Sequence, residues 1–155
     1  MKLSLLSVIA LASALPTKEM AKKDFVWGKD FILVSCAPGT PVHNQDIKKV
    51  DSHPHVFTVG GDEGSTVFLN LNDDTSMSDA SGRGIYMDPN TGEFGNVDPW
   101  GEQQPSKGFT ICPNGLCYND NCNWRACPSA PGVYSFTQSD CIGGTDIRIL
   151  VAYPL

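Results

Sequence analysis

The chain has 155 residues, a formal net charge of −6 and a sequence pI of about 4.8. That balance disfavours nucleic acid and anionic membrane surfaces as partners. Once the N-terminus is set aside, about 130 residues remain, enough for one domain with a core of its own.

Met1 to Ala14 reads MKLSLLSVIALASA: one basic residue, Lys2, then an apolar run, then the small triplet Ala12-Ser13-Ala14. This is the pattern of a secretory signal peptide, residues 1–14, cut after Ala14 and too short to span a bilayer. Residues 15–23 form a candidate pro-segment ending at the dibasic pair Lys22-Lys23. The single folded domain is then 24–155. The chain ends VAYPL, without the hydrophobic tail of a lipid-anchor signal. The expectation is a secreted, extracellular protein with no membrane anchor. In that oxidising setting six cysteines read first as up to three disulfides.

In chain order, Asp24 to Cys36 runs apolar through Phe31, Ile32, Leu33 and Val34 between Gly28 and Pro38, which predicts a strand. Val42 to His55 is polar, holds all three histidines, and contains Pro54, which disfavours helix. His55 to Val59 predicts a short strand closed by Gly60-Gly61. Thr66 to Asn72 alternates cleanly, with Val67, Leu69 and Leu71 on one face, the pattern of a half-buried strand. Ser76 to Ala80 predicts another. Ile85 to Met87 and Glu93 to Gly95 flank the turn residues Asp88-Pro89-Asn90-Thr91-Gly92, predicting a hairpin.

Asn96 to Lys107 is a loop containing Trp100. Phe109 to Tyr118 predicts a hairpin turning at Asn114-Gly115. Trp124 to Cys127, Val133 to Thr137 and Asp146 to Tyr153 predict three more strands, the last with Ile147, Ile149 and Val151 on one face. No segment after the leader repeats apolar residues at helical spacing over three turns. The expected fold is all-β: a compact antiparallel sandwich or barrel, stapled by disulfides.

Five cysteines, Cys112, Cys117, Cys122, Cys127 and Cys141, fall between Gly108 and Cys141, and the sixth is Cys36. Their spacing also admits a zinc knuckle, but secretion favours disulfides. Six cysteines allow fifteen connectivities. The turn at Asn114-Gly115 places Cys112 opposite Cys117, so that pair is the expected bond.

The Asp51, His53, His55 cluster has imidazoles suited to copper or zinc, but spacing supplies no third ligand, and a solvated loop is the simpler reading. Asp88 to Glu93 superficially resembles a calcium loop; its glycine falls one place early and the twelfth position is Pro99, so it reads as a turn. Glu63, Asp88, Glu93 and Asp98 are the carboxylates available for glycoside hydrolysis, all in turn-like contexts. No nucleophile-elbow or zinc-protease motif is present. Neither catalytic residues nor a cofactor or metal are expected, and the protein reads as no enzyme. Of the three tryptophans, Trp27 and Trp124 read as core, Trp124 packed against a disulfide. Trp100, in its Pro/Gly-rich loop, is the candidate for stacking on a glycan.

Asn72 to Val151 resembles the C-terminal domain of fungal cell-wall mannoproteins of the Pir type and, more loosely, the phialide-type wall proteins of moulds. The residues that carry the likeness begin with Asp79-Ala80-Ser81-Gly82-Arg83-Gly84-Ile85, similar to the family's D-x-x-G-R-x-G, followed by Glu93-Phe94 and the loop Asp98 to Ser106. Gly108 to Ile111, Asn114 to Leu116, Ala126 to Ser129 and Tyr134 to Phe136 leading to Cys141 complete it. In this resemblance Cys36, Cys127 and Cys141 match three of the family's four domain cysteines, and Cys112, Cys117 and Cys122 are additional. The Gln-containing repeats of covalent glucan linkage are absent. The resemblance implies a secreted, non-catalytic protein contributing to wall organisation, its partners β-glucan or other wall proteins. The alternatives are a carbohydrate-binding module acting through Trp100 and a small secreted hydrolase or effector.

Overall fold

A computed structural model of the chain describes residues 18–20, 26–50, 53–98, 103–113 and 115–154. The proposed signal peptide and Trp100 lie outside them. The described residues form an all-β domain and contain no helix, so none is long and apolar enough to cross a membrane.

Fifteen strands are numbered in chain order: β1 (Lys18–Met20), β2 (Ile32–Cys36), β3 (Gln45–Asp46), β4 (Lys48–Val50), β5 (His53–Val59), β6 (Ser65–Thr66), β7 (Leu69–Leu71) and β8 (Met77–Asp79). There follow β9 (Ile85–Met87), β10 (Phe94–Asn96), β11 (Phe109–Cys112), β12 (Gly115–Tyr118), β13 (Trp124–Ala130), β14 (Val133–Thr137) and β15 (Thr145–Pro154). Eight of them form one antiparallel sheet in the order β3-β2-β15-β13-β14-β5-β4-β6.

The order turns back on itself, because β3 at one end and β4, next to last at the other, are consecutive and only Ile47 separates them. Ile47 is fully buried; its N–H donates to Leu33 O and its carbonyl accepts from Val67 N. The stretch Gln45–Val50 therefore borders β2 at one end and β5 and β6 at the other, and the sheet curls into a nearly closed barrel. A closed sheet satisfies backbone groups that an edge would leave open. Sequence reading had placed no strand here.

Alternation puts the predicted faces inside. Val67, Leu69 and Leu71 are buried, as are Ile147, Ile149 and Val151. The centre is aromatic: Phe94 meets Phe57 edge-on with centroids 5.0 Å apart, Trp124 at 5.3 Å and Phe109 at 6.0 Å. Trp124 is buried as expected and donates from Nε1 to Leu116 O at 2.8 Å, so its one polar atom is satisfied in the core. Trp27 departs from expectation: it is 61% exposed, since it precedes the barrel's first strand.

Three hairpins complete the domain: β7–β8, β9–β10 and β11–β12. In the last, Cys112 pairs with Gly115, so Gly115 is a strand residue and the loop is 113–114. Gly115 has φ 112°, and a Cβ there would stand 2.2 Å from Ile149 O, so only glycine lets this hairpin seat on β15. The segment set aside as a pro-segment contributes β1, which pairs with Ala152, Tyr153 and Pro154.

Candidate functional site

Asp79, the first residue of the stretch Asp79-Ala80-Ser81-Gly82-Arg83-Gly84, is the polar hub of the fold. Its Oδ1 accepts from Ser81 N, Ser81 Oγ and Arg83 N at 2.7–3.0 Å. Its Oδ2 accepts from Lys49 Nζ at 2.9 Å and Asn96 Nδ2 at 3.1 Å. Burial pushes its pKa up, but these donors favour the charged form more strongly and hold it at about 2. The carboxylate thus ties the β7–β8 hairpin to the barrel strand β4 and to β10. This arrangement is structural, and it fixes the orientation of Asn96.

Asn96 leads to the site. It is 1% exposed; its Nδ2 is committed to Asp79 and Gly84 O, while its Oδ1 has no hydrogen-bond partner among the described residues. It borders a depression of about 270 Å³ together with Tyr86, Asp88, Glu93, Asp98 and Gln103. Asp98 Oδ1 is also buried without a hydrogen-bond partner among the described residues, although Asp98 N donates to Gln103 Oε1 at 2.8 Å. A second depression, about 440 Å³, lies over the outer face of β5 and β14, where Val56, Thr58, Val133 and Ser135 form its floor and Glu63 and Glu93 its rim. Thr58, 8% exposed, has an unpartnered Oγ1. Val56 and Glu93 border both depressions, so the two adjoin as one groove.

The groove's position follows from the β9–β10 hairpin. Asp88 Oδ1 accepts from Asn90 N at 2.8 Å and Thr91 N at 3.2 Å, the turn expected there. Glu93 bridges Thr137, and Thr137 Oγ1 donates to Thr91 O at 3.0 Å. These bonds hold the hairpin beside β14 with Glu93 between the two depressions. The structure therefore gathers Glu63, Asp88, Glu93 and Asp98 around one feature, which their scattered sequence positions did not show. Asp98 and Gln103, which bound the Trp100 loop, both border it; Trp100 itself lies outside the described residues.

A third cleft, about 720 Å³, is bordered by Cys36, Asn121, Asn123, Gln138, Arg125 and Arg148, among others. Its charges are mutually engaged: Arg125 binds Asp140 and Asp146, each at 3.0 Å, and Arg148 donates to Cys122 O at 3.1 Å. Unlike the groove, its ionic groups are already paired.

The histidines give no metal centre that can be described: His43 Nδ1 accepts from Ala37 N at 3.1 Å, Asp51 lies outside the described residues, and β5 contains His53 and His55.

The cysteines pair differently from expectation. Cys117 is bonded to Cys122 and Cys127 to Cys141, while Cys36 and Cys112 are free thiols. The expected Cys112–Cys117 bond is not made because Cys117 faces Thr110 across the hairpin and Cys112 faces Gly115, so the two are not cross-strand partners.

No family model, curated protein or solved structure matches the chain.

Proposed function

We propose that this is a secreted protein of the fungal cell wall that holds neutral wall polysaccharide in the groove around Glu93 and has no chemistry of its own. The observation that carries the reading is the set of buried, unpartnered polar atoms at the groove: Thr58 Oγ1, Asn96 Oδ1 and Asp98 Oδ1. A buried polar atom without a partner costs about 1–3 kcal/mol, so two acceptors, Asn96 Oδ1 and Asp98 Oδ1, beside the Thr58 hydroxyl, which can donate or accept, favour a ligand rich in hydroxyl groups. Sugar hydroxyls supply donors, and the C–H faces of pyranose rings fit a floor of Val56 and Val133. Carboxylates at Glu93 and Asp98 accept strong hydrogen bonds from hydroxyl groups. A net charge of −6 disfavours an anionic polymer and leaves a neutral glucan unopposed. The leader sequence and the likeness to Pir-type domains support the location.

The convergence of Glu93 with Asp88 and Asp98 favours one rival, a glycoside hydrolase. Sedimentation with insoluble β-glucan and chitin, followed by assay of soluble sugar, separates the two. Retention without sugar release supports binding; sugar release abolished by Glu93→Gln or Asp98→Asn would establish the hydrolase.

A further inference from the structure

The loop end of the β11–β12 hairpin gathers three sulfur atoms. Cys112 Sγ lies 3.5 Å from Cys117 Sγ, and the sulfurs of Cys112, Cys117 and Cys122 all lie within 4.8 Å of one another. Cys117, the middle member, is fully buried, while Cys112 and Cys122 are half-buried on either side of it in sequence. We propose that the three form a disulfide-exchange site in which the Cys117 bond passes between Cys122 and Cys112.

The step balances internally. The Cys112 thiolate attacks Cys117 Sγ, the Cys112–Cys117 bond forms, and the Cys117–Cys122 bond breaks with its electron pair leaving on Cys122. The proton lost by Cys112 is matched by one gained at Cys122, and no external oxidant or reductant is consumed. Burial of Cys117 keeps outside thiols from its sulfur, whereas Cys112 lies in contact with it. Because all three sulfurs fall within 4.8 Å of one another they are not collinear, and a rotation of the Cys112 side chain must bring its sulfur in line with the Cys117–Cys122 bond before exchange. Either bond closes a loop of the same length, because Cys117 is 5 residues from Cys122 and 5 from Cys112. Loop-closure entropy, which depends on that length, is therefore the same for both and does not hold the bond in one place.

The two isomers present a thiol in different surroundings. With Cys117 bonded to Cys122, the thiol is at Cys112, beside the hairpin loop. After exchange it is at Cys122, between Asn121 and Asn123, which border the 720 Å³ cleft that Cys36 also borders. A disulfide-bearing reagent or a partner's cysteine would be captured there instead. This inference is independent of glucan binding.

The test is to equilibrate the full secreted chain at pH 8 without reductant, quench in acid, alkylate the free thiols, and map the alkylated sites and disulfides by tandem mass spectrometry after non-reducing proteolysis. The proposal expects alkylation at both Cys112 and Cys122. It also expects Cys122→Ser to contain a Cys112–Cys117 disulfide. Alkylation at Cys112 with none at Cys122, or at neither, overturns it. So does a Cys122→Ser protein in which Cys112 and Cys117 are both alkylated. Should that variant fail to fold, the wild-type map alone decides.

Discussion

Lys49 Nζ sits 2.9 Å from Asp79 Oδ2, with the carboxylate side chain 4% exposed, and this pair ties the barrel strand β4 to the β7–β8 hairpin. Removing Lys49 leaves the buried carboxylate without its cationic partner but with its bonds from Ser81, Arg83 and Asn96, and removing Asp79 leaves the half-buried Lys49 without an anion. Asp79→Ala also strips acceptors from Ser81, Arg83 and Asn96. The expected loss is about 3–5 kcal/mol, read from a denaturant midpoint. Asp79→Asn, which keeps the shape, should lose less.

Asp79 also sets an acid dependence. Its folded pKa, about 2, lies below the ordinary 3.8, so the folded state favours the ionised form. The stabilisation is present above pH 4 and is lost as pH falls from about 4 towards 2. Discounted for solvent screening, it amounts to about 1–2 kcal/mol. Melting temperature against pH should fall across that window in the wild type and fall less steeply in Asp79→Asn.

Phe94 is the keystone of the core, in ring contact with Phe57, Trp124 and Phe109. Phe94→Ala should cost about 3–5 kcal/mol through lost burial and a residual cavity. Because Phe94 adjoins Glu93, the same change should loosen the groove, and hydrogen exchange at β9–β10 should rise with it.

Thr58→Val removes a buried hydroxyl that has no partner among the described residues. Stability should hold or rise by up to about 1 kcal/mol, while affinity for glucan falls. A melting temperature that drops sharply would show the hydroxyl to be satisfied within the fold and remove it from the site.

Much of the barrel was legible in sequence because its faces alternate. Val67-x-Leu69-x-Leu71 and Ile147-x-Ile149-x-Val151 declare their buried sides directly. The closing strand was not legible: Gln45–Val50 offers two apolar side chains, Ile47 and Val50, three residues apart and so out of step with strand alternation, and its strand character comes from pairing with β2, β5 and β6 rather than from its own pattern. Trp27 shows the converse, an apolar side chain that stays largely exposed. The cysteine pairing turned on register: moving the turn to 113–114 set Cys112 opposite Gly115. The groove was invisible in sequence because Thr58, Glu93, Asn96 and Asp98 come from separate strands and loops. What relates them, the unpartnered polar atoms of Thr58, Asn96 and Asp98 and the position of Glu93 between the two depressions, exists only after folding.

The most direct test of the account is a binding isotherm on insoluble β-1,3-glucan for the wild type and Glu93→Gln, with melting temperatures recorded for both. The account predicts saturable binding by the wild type, weakened about tenfold or more in Glu93→Gln at unchanged melting temperature, as expected for loss of a charged acceptor worth about 1.5–3 kcal/mol. Equal binding by the two proteins, or no saturable binding by the wild type, would contradict it.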